Sequence, residues 1–244
     1  MKQTFAIAQA VIADAVRRKV VWVVIVFCAL LAIATPALPS YGVGVVAAVY
    51  REVSLALMFT SSLVVALALA ATRIPVEVEK RTVFNVVARD VRRWQYVAGS
   101  WLGMFIVLGV VTLAFALATM LIGFIDYREA MFVLLEGALA IWLEMGVIMG
   151  ICVMFSCQYG SVTSIVAALA FTFIAHADVG LLQLPEGQPA PWWLPGLDIF
   201  NVINPVAHGS GYGVVYGLAM VAAAAAWVAI FILGGSLLFG IRDL

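Results

Sequence analysis

Charged residues are scarce along this chain. Of its 244 residues only 11% are charged and 66% are hydrophobic, which gives a mean hydropathy of +1.15. Soluble domains carry about 25% charged residues, so this composition excludes an ordinary soluble globular protein. A bilayer must therefore be the solvent for most of the chain, and only helices or closed barrels span a bilayer. The apolar runs are continuous rather than alternating, which predicts helices.

The chain also lacks the short motifs of several enzyme classes. It contains no HExxH and no CxxC, and none of its lysines (Lys2, Lys19 and Lys80) follows a glycine as a Walker A lysine must. The three cysteines lie in or beside apolar runs and imply no disulfide framework. His176 and His208 are two candidate metal ligands on the predicted outer side, but without a third ligand they are a weak set. We therefore expect a protein that is not an enzyme, with no metal and no cofactor of its own.

Six apolar runs reach the length of about 20 residues that a membrane span needs. They are residues 20–38, 53–71, 97–124, 130–155, 161–182 and 214–239. The first run is expected to be a retained anchor rather than a cleaved signal peptide. The prediction is an all-α integral membrane protein, with residues 1–244 forming one transmembrane domain.

Lysine and arginine are unevenly distributed among the loops. With the N-terminus inside, 11 of the 13 Lys and Arg residues fall on the cytoplasmic side, and only Arg51 and Arg128 fall outside. Cytoplasmic loops of membrane proteins carry such an excess of positive charge. Six spans return the C-terminus to the same side, so both termini are predicted to be cytoplasmic.

Residues 1–19 precede the first span. Within them, residues 4–16 have the pattern of an amphipathic helix, followed by a basic cluster. The expected apolar face comprises Phe5, Ala8, Ile12 and Ala15. This arrangement suits an elbow helix that lies in the inner membrane interface, although a simple upstream extension of the first span is the alternative.

A charged segment, residues 73–96, separates the second and third spans and holds six of the 13 Lys and Arg residues. Pro75 can begin a helix there, because a proline at the first helical position loses no hydrogen bond. Glu77 and Glu79 would then lie near a helix start, where the helix dipole favours carboxylates. The segment is either a lipid-surface anchor or a docking helix for a soluble partner, and the aromatic side chain of Phe84 favours docking.

This segment resembles the cytoplasmic loop of ABC-2 type permeases, the membrane subunits of ABC exporters. The family pattern runs E-x-E-x-x-T, an apolar stretch, R-P-V-x-R, an aromatic residue and G-K. From Glu77 this chain reads EVEKRTVFNVVARDVRRWQYVAGS, with Asp90 in place of the usual proline and Ser100 in place of the usual lysine. The N-terminal residues also resemble permeases labelled for multicopper-enzyme maturation or copper processing, as do Leu194-Pro195, Phe200-Asn201, His208-Gly209 and the ending FGIRDL.

The resemblance implies a coupling helix between the second and third spans that docks into a separate cytoplasmic ATPase. The residues implied in coupling are Glu77, Glu79, Arg81, Thr82, Val83, Phe84, Val87 and Arg89. The ATPase subunit would bind ATP and Mg, and a second permease copy or a sister permease would complete the transporter. The implied location is the bacterial inner membrane, with the lipid bilayer and no nucleic acid as partner.

Two carboxylates, Glu136 and Glu144, fall within the fourth predicted span. Ionisable residues inside a membrane are costly and mark candidate functional sites. We expect them in the translocation path, and the alternatives for Glu144 are a proton-carrying role or a neutral structural contact. The proline-rich outer loop, residues 183–210, either caps a substrate exit or serves as a connector.

Three other functions remain open from the sequence. A haem-exporter-like permease of cytochrome c maturation also has six spans, but its loop pattern matches less well. A proton-coupled secondary carrier would use the two carboxylates, although no internal repeat of the kind common in carriers is evident. An intramembrane enzyme would need a nucleophile with a base, or a metal set, and neither is apparent.

Overall fold

A computed structural model describes residues 2–17, 21–34, 43–80, 92–176 and 195–241, and this described part is helical without strands. Eight α-helices are present in it. They are α1 (Lys2–Arg17), α2 (Val21–Ala34), α3 (Val43–Glu79), α4 (Arg93–Tyr127), α5 (Val133–Ser156), α6 (Ser161–His176), α7 (Ile203–Ala207) and α8 (Val214–Ile241). A short 3-10 helix, Leu197–Phe200, precedes α7.

Four of these helices, α3, α4, α5 and α8, are long and apolar enough to cross a membrane. Helices α2 and α6 are also apolar, but they have 14 and 16 described residues. The prediction of an all-helical fold is confirmed for the described residues, and the four long apolar helices are compatible with a multi-pass membrane protein. The first and fifth of the six predicted spans stay predictions.

Helix α5 is the central helix of the bundle. In its most apolar stretch 78% of the residues are buried inside the protein, against 22% for α8. Helices α3, α4, α6 and α8 all pack against it. Glycines allow this close approach: a Cβ at Gly146 would lie 2.5 Å from the ring of Phe105 in α4. Gly146 thus serves packing within the chain.

Helix α1 packs along α4. Ala8, Val11 and Ala15 are buried, whereas Phe5 is 60% exposed. The amphipathic helix predicted for residues 4–16 is therefore present, and its expected apolar face is only partly buried within the protein. Ala8 and Ala15 pack on α4, because α4 presents glycines that bring the two backbones close together.

Helix α3 runs without interruption through Pro75 to Glu79. The expectation that Pro75 begins a new helix is therefore wrong, and Glu77 and Glu79 lie in the last turn of a long helix. Carboxylates are unfavourable there with respect to the helix dipole. Arg73, one turn earlier, offsets the negative charge of Glu77, because side chains four residues apart on a helix lie next to each other.

Candidate functional site

Polar side chains form contacts at both ends of the helix bundle and at one point between them. One end joins the last turns of α3 to α1 and the start of α4. The other end joins the start of α5 to the connection that leads into α8. The third point is a buried pair between α5 and α6. Each of these contains residues that the sequence pattern singles out.

At the first end, the guanidinium of Arg73 links two helices. Its Nη1 lies 3.3 Å from Asp14 Oδ2 in α1, and its Nη2 lies 2.6 Å from Glu77 Oε1 in α3. The phenol of Tyr96 in α4 donates a hydrogen bond to Glu77 Oε2. These side chains are mostly shielded from solvent, except that of Asp14, so the contacts are screened less than surface ion pairs. These contacts join helices α1, α3 and α4 at the point where α3 ends within the charged segment.

The other side of the charged segment is anchored by Arg93 at the start of α4. Its Nη1 donates hydrogen bonds to the carbonyl oxygens of Phe239, at 3.2 Å, and of Gly240. These carbonyls belong to the last turn of α8, where helices leave acceptors without partners and favour cations. The segment between Lys80 and Arg92 is therefore held at both flanks.

Two of the residues implied in coupling lie in the described part of the chain. Glu77 is engaged in the network with Arg73 and Tyr96, and Glu79 is exposed at the end of α3. The others lie outside the described residues: Arg81, Thr82, Val83, Phe84, Val87 and Arg89. Their role in coupling stays a prediction.

The buried pair consists of Glu144, in the middle of α5, and His176, at the end of α6. Glu144 is 2% exposed, and its Oε1 lies 2.9 Å from Nε2 of His176. The other ring nitrogen of His176, Nδ1, lies 3.0 Å from the carbonyl oxygen of Thr172. The carboxyl and the imidazole therefore face each other inside the helix bundle, with the ring held in one orientation.

A cavity of about 130 Å³ adjoins this pair. Leu55 and Phe59 of α3 and Ile141 of α5 give it apolar walls, and residues 200–203 close it from the side of the loop that precedes α8. Within that loop, Leu197 and Phe200 are buried against the bundle. The described part of the predicted outer loop is thus packed over the cavity.

Glu136 lies in a different place from Glu144. It stands in the first turn of α5, where its Oε2 accepts a hydrogen bond of 2.8 Å from the backbone N–H of Tyr212. The phenol of Tyr212 donates in turn to the backbone oxygen of Glu136, at 2.9 Å. Burial, and then the negative charge of Glu136, raise the pKa of Tyr212 above its ordinary value. Glu136 thus fastens the connection that leads into α8.

The two histidines make different contacts. His176 pairs with Glu144, whereas His208 is exposed, with its Nδ1 at 2.9 Å from the carbonyl oxygen of Asn204. No group of three His, Cys, Asp or Glu side chains suited to a metal ion occurs among the described residues.

Sequence reasoning missed two of these contacts. The sequence contains a hint of the contact between Glu144 and His176, because both are ionisable residues in predicted spans that follow each other along the chain. It also contains a hint of the ion pair of Arg73 and Glu77, since the residues are four apart, but Pro75 between them suggested a helix boundary.

No model of a known protein family matches this chain, and no curated protein is significantly similar to it. The likeness to ABC-2 type permeases therefore depends on the motif residues themselves. The geometry adds a charged segment held at both flanks by packed helices, and a shielded acid–imidazole pair beside a cavity.

Proposed function

We propose that this protein is the membrane-spanning permease subunit of an ABC exporter of the ABC-2 type. A separate cytoplasmic ATPase would dock on residues 73–96 and would bind ATP and Mg. A second permease copy or a sister permease would complete the transporter. The proposed location is the bacterial inner membrane, with both termini in the cytoplasm.

The observation that carries this proposal is the double anchoring of the charged segment. Arg73, Glu77 and Tyr96 tie its first flank to α1, α3 and α4, and Arg93 ties its second flank to the end of α8. A docking segment transmits movement only if its ends are fixed to the elements that must move. Nucleotide-driven closure of an ATPase would then bias two arrangements of the membrane helices.

The direct test is association with an ABC ATPase subunit, chosen from the products of the neighbouring genes. We expect the two proteins, when co-expressed, to co-purify in mild detergent and to lose this association when Phe84→Asp is introduced. An aspartate would place a charge in an apolar docking contact, where desolvation makes it costly. Phe84→Leu, which keeps an apolar side chain, should preserve the association.

Phe132→Asp is the matched control at the opposite end of the bundle. Phe132 is 67% exposed at the start of α5, far along the chain from the charged segment. Its replacement should leave the association intact. Loss of association in both Phe→Asp variants, or in neither, would refute a specific docking role for the charged segment.

A proton-coupled secondary carrier is the second candidate function. The buried contact of Glu144 with His176 beside a cavity favours it, because carriers that use protons place such groups within their membrane helices. The two functions differ in their need for an ATPase: transport by a carrier would persist in vesicles that contain this chain alone.

A further inference from the structure

The contact of Glu144 with His176 requires a proton. The carbonyl oxygen of Thr172 only accepts hydrogen bonds, so Nδ1 of His176, at 3.0 Å from it, must carry hydrogen. Nε2 then faces Glu144 Oε1 at 2.9 Å. Without a proton on either atom, an imidazole nitrogen and a carboxylate oxygen, both electron-rich, would lie 2.9 Å apart. One proton must therefore reside on Nε2 or on the carboxyl.

The surroundings of the pair favour the carboxyl as its carrier. Glu144 is 2% exposed, and its Oε1 has no aligned hydrogen-bond partner among the described residues although Nε2 is close. A buried carboxylate needs aligned donors to offset its lost hydration, and an ion pair without them is unfavourable. A neutral carboxylic acid beside a neutral imidazole avoids this cost.

In the described part of the chain, the elements packed around the pair supply no compensating positive charge. Helix α3 contributes Phe59, whose ring meets the His176 ring edge-on with 6.3 Å between the centroids. The 3-10 helix contributes Asp198, the other titratable group of the described part whose charge acts on the pair. A carboxylate at Asp198 repels a negative charge at Glu144 and also attracts a proton to His176, so it favours a proton on the pair, and the burial of Glu144 decides which member carries it.

We propose that Glu144 and His176 form a proton-binding site within the membrane helices, in which Glu144 holds the proton as a neutral carboxylic acid against a neutral His176. This site does not depend on the proposed function, since it is a property of the chain alone. Its ligand is a single proton.

The adjoining cavity provides the route by which this proton exchanges. Its volume of about 130 Å³ exceeds the roughly 30 Å³ that one water molecule takes up in the liquid, and Glu144, His176 and Asn201 supply polar groups that would hold water beside its apolar walls. The exposed Asn201 lies on its wall at the covering segment 200–203. The proton would therefore leave and enter from the side of that segment.

Infrared spectroscopy of the purified chain in lipid nanodiscs at neutral pH tests this site. Exposed carboxyl groups are ionised at neutral pH, so a carbonyl stretch from a protonated carboxyl reports a shielded acid. We expect this band in the wild-type protein and its loss in Glu144→Gln. Glu136→Gln, on the same helix, and Asp198→Asn should both keep the band.

His176→Gln tests the second member of the pair. This variant retains the Glu144 carboxyl but changes the group that faces it, so the band should persist at a shifted frequency. Thermal unfolding of each variant in the same nanodiscs establishes that it is folded. A wild-type spectrum without the band would overturn the proposal. So would a band that survives Glu144→Gln, or one that His176→Gln leaves unmoved.

Discussion

Gly103 of α4 lies directly beneath Val11 of α1. A Cβ atom built on Gly103 would stand 2.7 Å from the Cβ of Val11 and 2.8 Å from the backbone oxygen of Ala8. One turn earlier, a Cβ on Gly99 would stand 2.8 Å from the backbone oxygen of Thr4. Helix α1 therefore rests on the backbone of α4 along a pair of glycines four residues apart.

Gly103→Val should detach α1 from α4. The new side chain would meet backbone atoms of α1, which cannot move aside as a flexible side chain can. We expect a loss of unfolding free energy of about 2 kcal/mol, as is usual for overpacked sites. Thermal unfolding in detergent measures the loss, and limited proteolysis should show faster cleavage near the N-terminus.

Gly160→Val is the control for this substitution. Gly160 lies between α5 and α6, and a Cβ there has no neighbour within 4 Å. The free energy of unfolding of Gly160→Val should remain within about 0.5 kcal/mol of that of the wild type. A Gly103→Val protein as stable as Gly160→Val would contradict the close contact of α1 with α4.

Arg73 and Glu77 should be energetically coupled. Their ion pair is 2.6 Å long, and the side chains are only 15% and 19% exposed. In a double-mutant cycle of Arg73→Gln and Glu77→Gln, we expect a coupling energy of about 1 kcal/mol, in the range of contacting residues. Chemical unfolding of the four proteins in detergent measures it.

The matched cycle replaces Glu77→Gln with Glu79→Gln. Glu79 is exposed at the end of α3, so its substitution should add to that of Arg73 within about 0.5 kcal/mol. Equal coupling in the two cycles would mean that Arg73 acts through general electrostatics rather than through the observed contact.

Gly146→Ala should disturb a stack of three aromatic rings. Phe105 is stacked between Trp101 and Trp142, with centroid distances of 4.7 and 4.3 Å. A methyl group on Gly146 would lie 2.5 Å from the Phe105 ring, which has a tryptophan on both faces. We expect a changed near-ultraviolet circular dichroism spectrum and a stability loss of about 2 kcal/mol.

Gly150→Ala, one turn further along α5, provides the comparison. A Cβ there would be 3.5 Å from Phe231, an ordinary contact. Because alanine favours a helix over glycine by up to about 1 kcal/mol, this variant should be as stable as the wild type or more stable. If Gly146→Ala matched it in spectrum and stability, the ring stack would not be rigid.

The positions of the long helices were largely predictable from the sequence. The fourth predicted span, 130–155, corresponds to Val133–Ser156, and the sixth, 214–239, corresponds to Val214–Ile241. The length of an apolar run can be read from the local sequence, because each span must cross the hydrocarbon core of the bilayer by itself. The apolar runs therefore located the helices without knowledge of their neighbours.

Relations between helices were not predictable in this way. Glu144 and His176 are brought to 2.9 Å by the packing of α6 on α5, which neither apolar run encodes. Pro75 was expected to begin a helix because local propensity disfavours an interior proline. Tertiary packing overrides that propensity, since Pro75 is buried and the neighbouring Arg73 and Glu77 bind each other across it.

Tyr212 should ionise only at a more alkaline pH than an exposed tyrosine. Its phenol donates to the backbone oxygen of Glu136 at 2.9 Å, and burial followed by the Glu136 charge raises its pKa. A raised pKa in the folded state means that the neutral phenol stabilises the fold below pH about 10, the ordinary tyrosine value. This stabilisation is lost as the pH rises through the pKa of the folded protein.

The contribution of Tyr212 follows from the difference between the ultraviolet tyrosinate titrations of the wild type and Tyr212→Phe. The difference curve should contain one phenol that titrates above the ordinary pKa. Tyr212→Phe should also show a shallower loss of unfolding free energy at alkaline pH than the wild type. Glu136→Gln removes the negative charge, so the Tyr212 step should move to lower pH. A difference curve centred at the ordinary tyrosine pKa would contradict this prediction. It would mean that the contact of Tyr212 with Glu136 does not persist in solution.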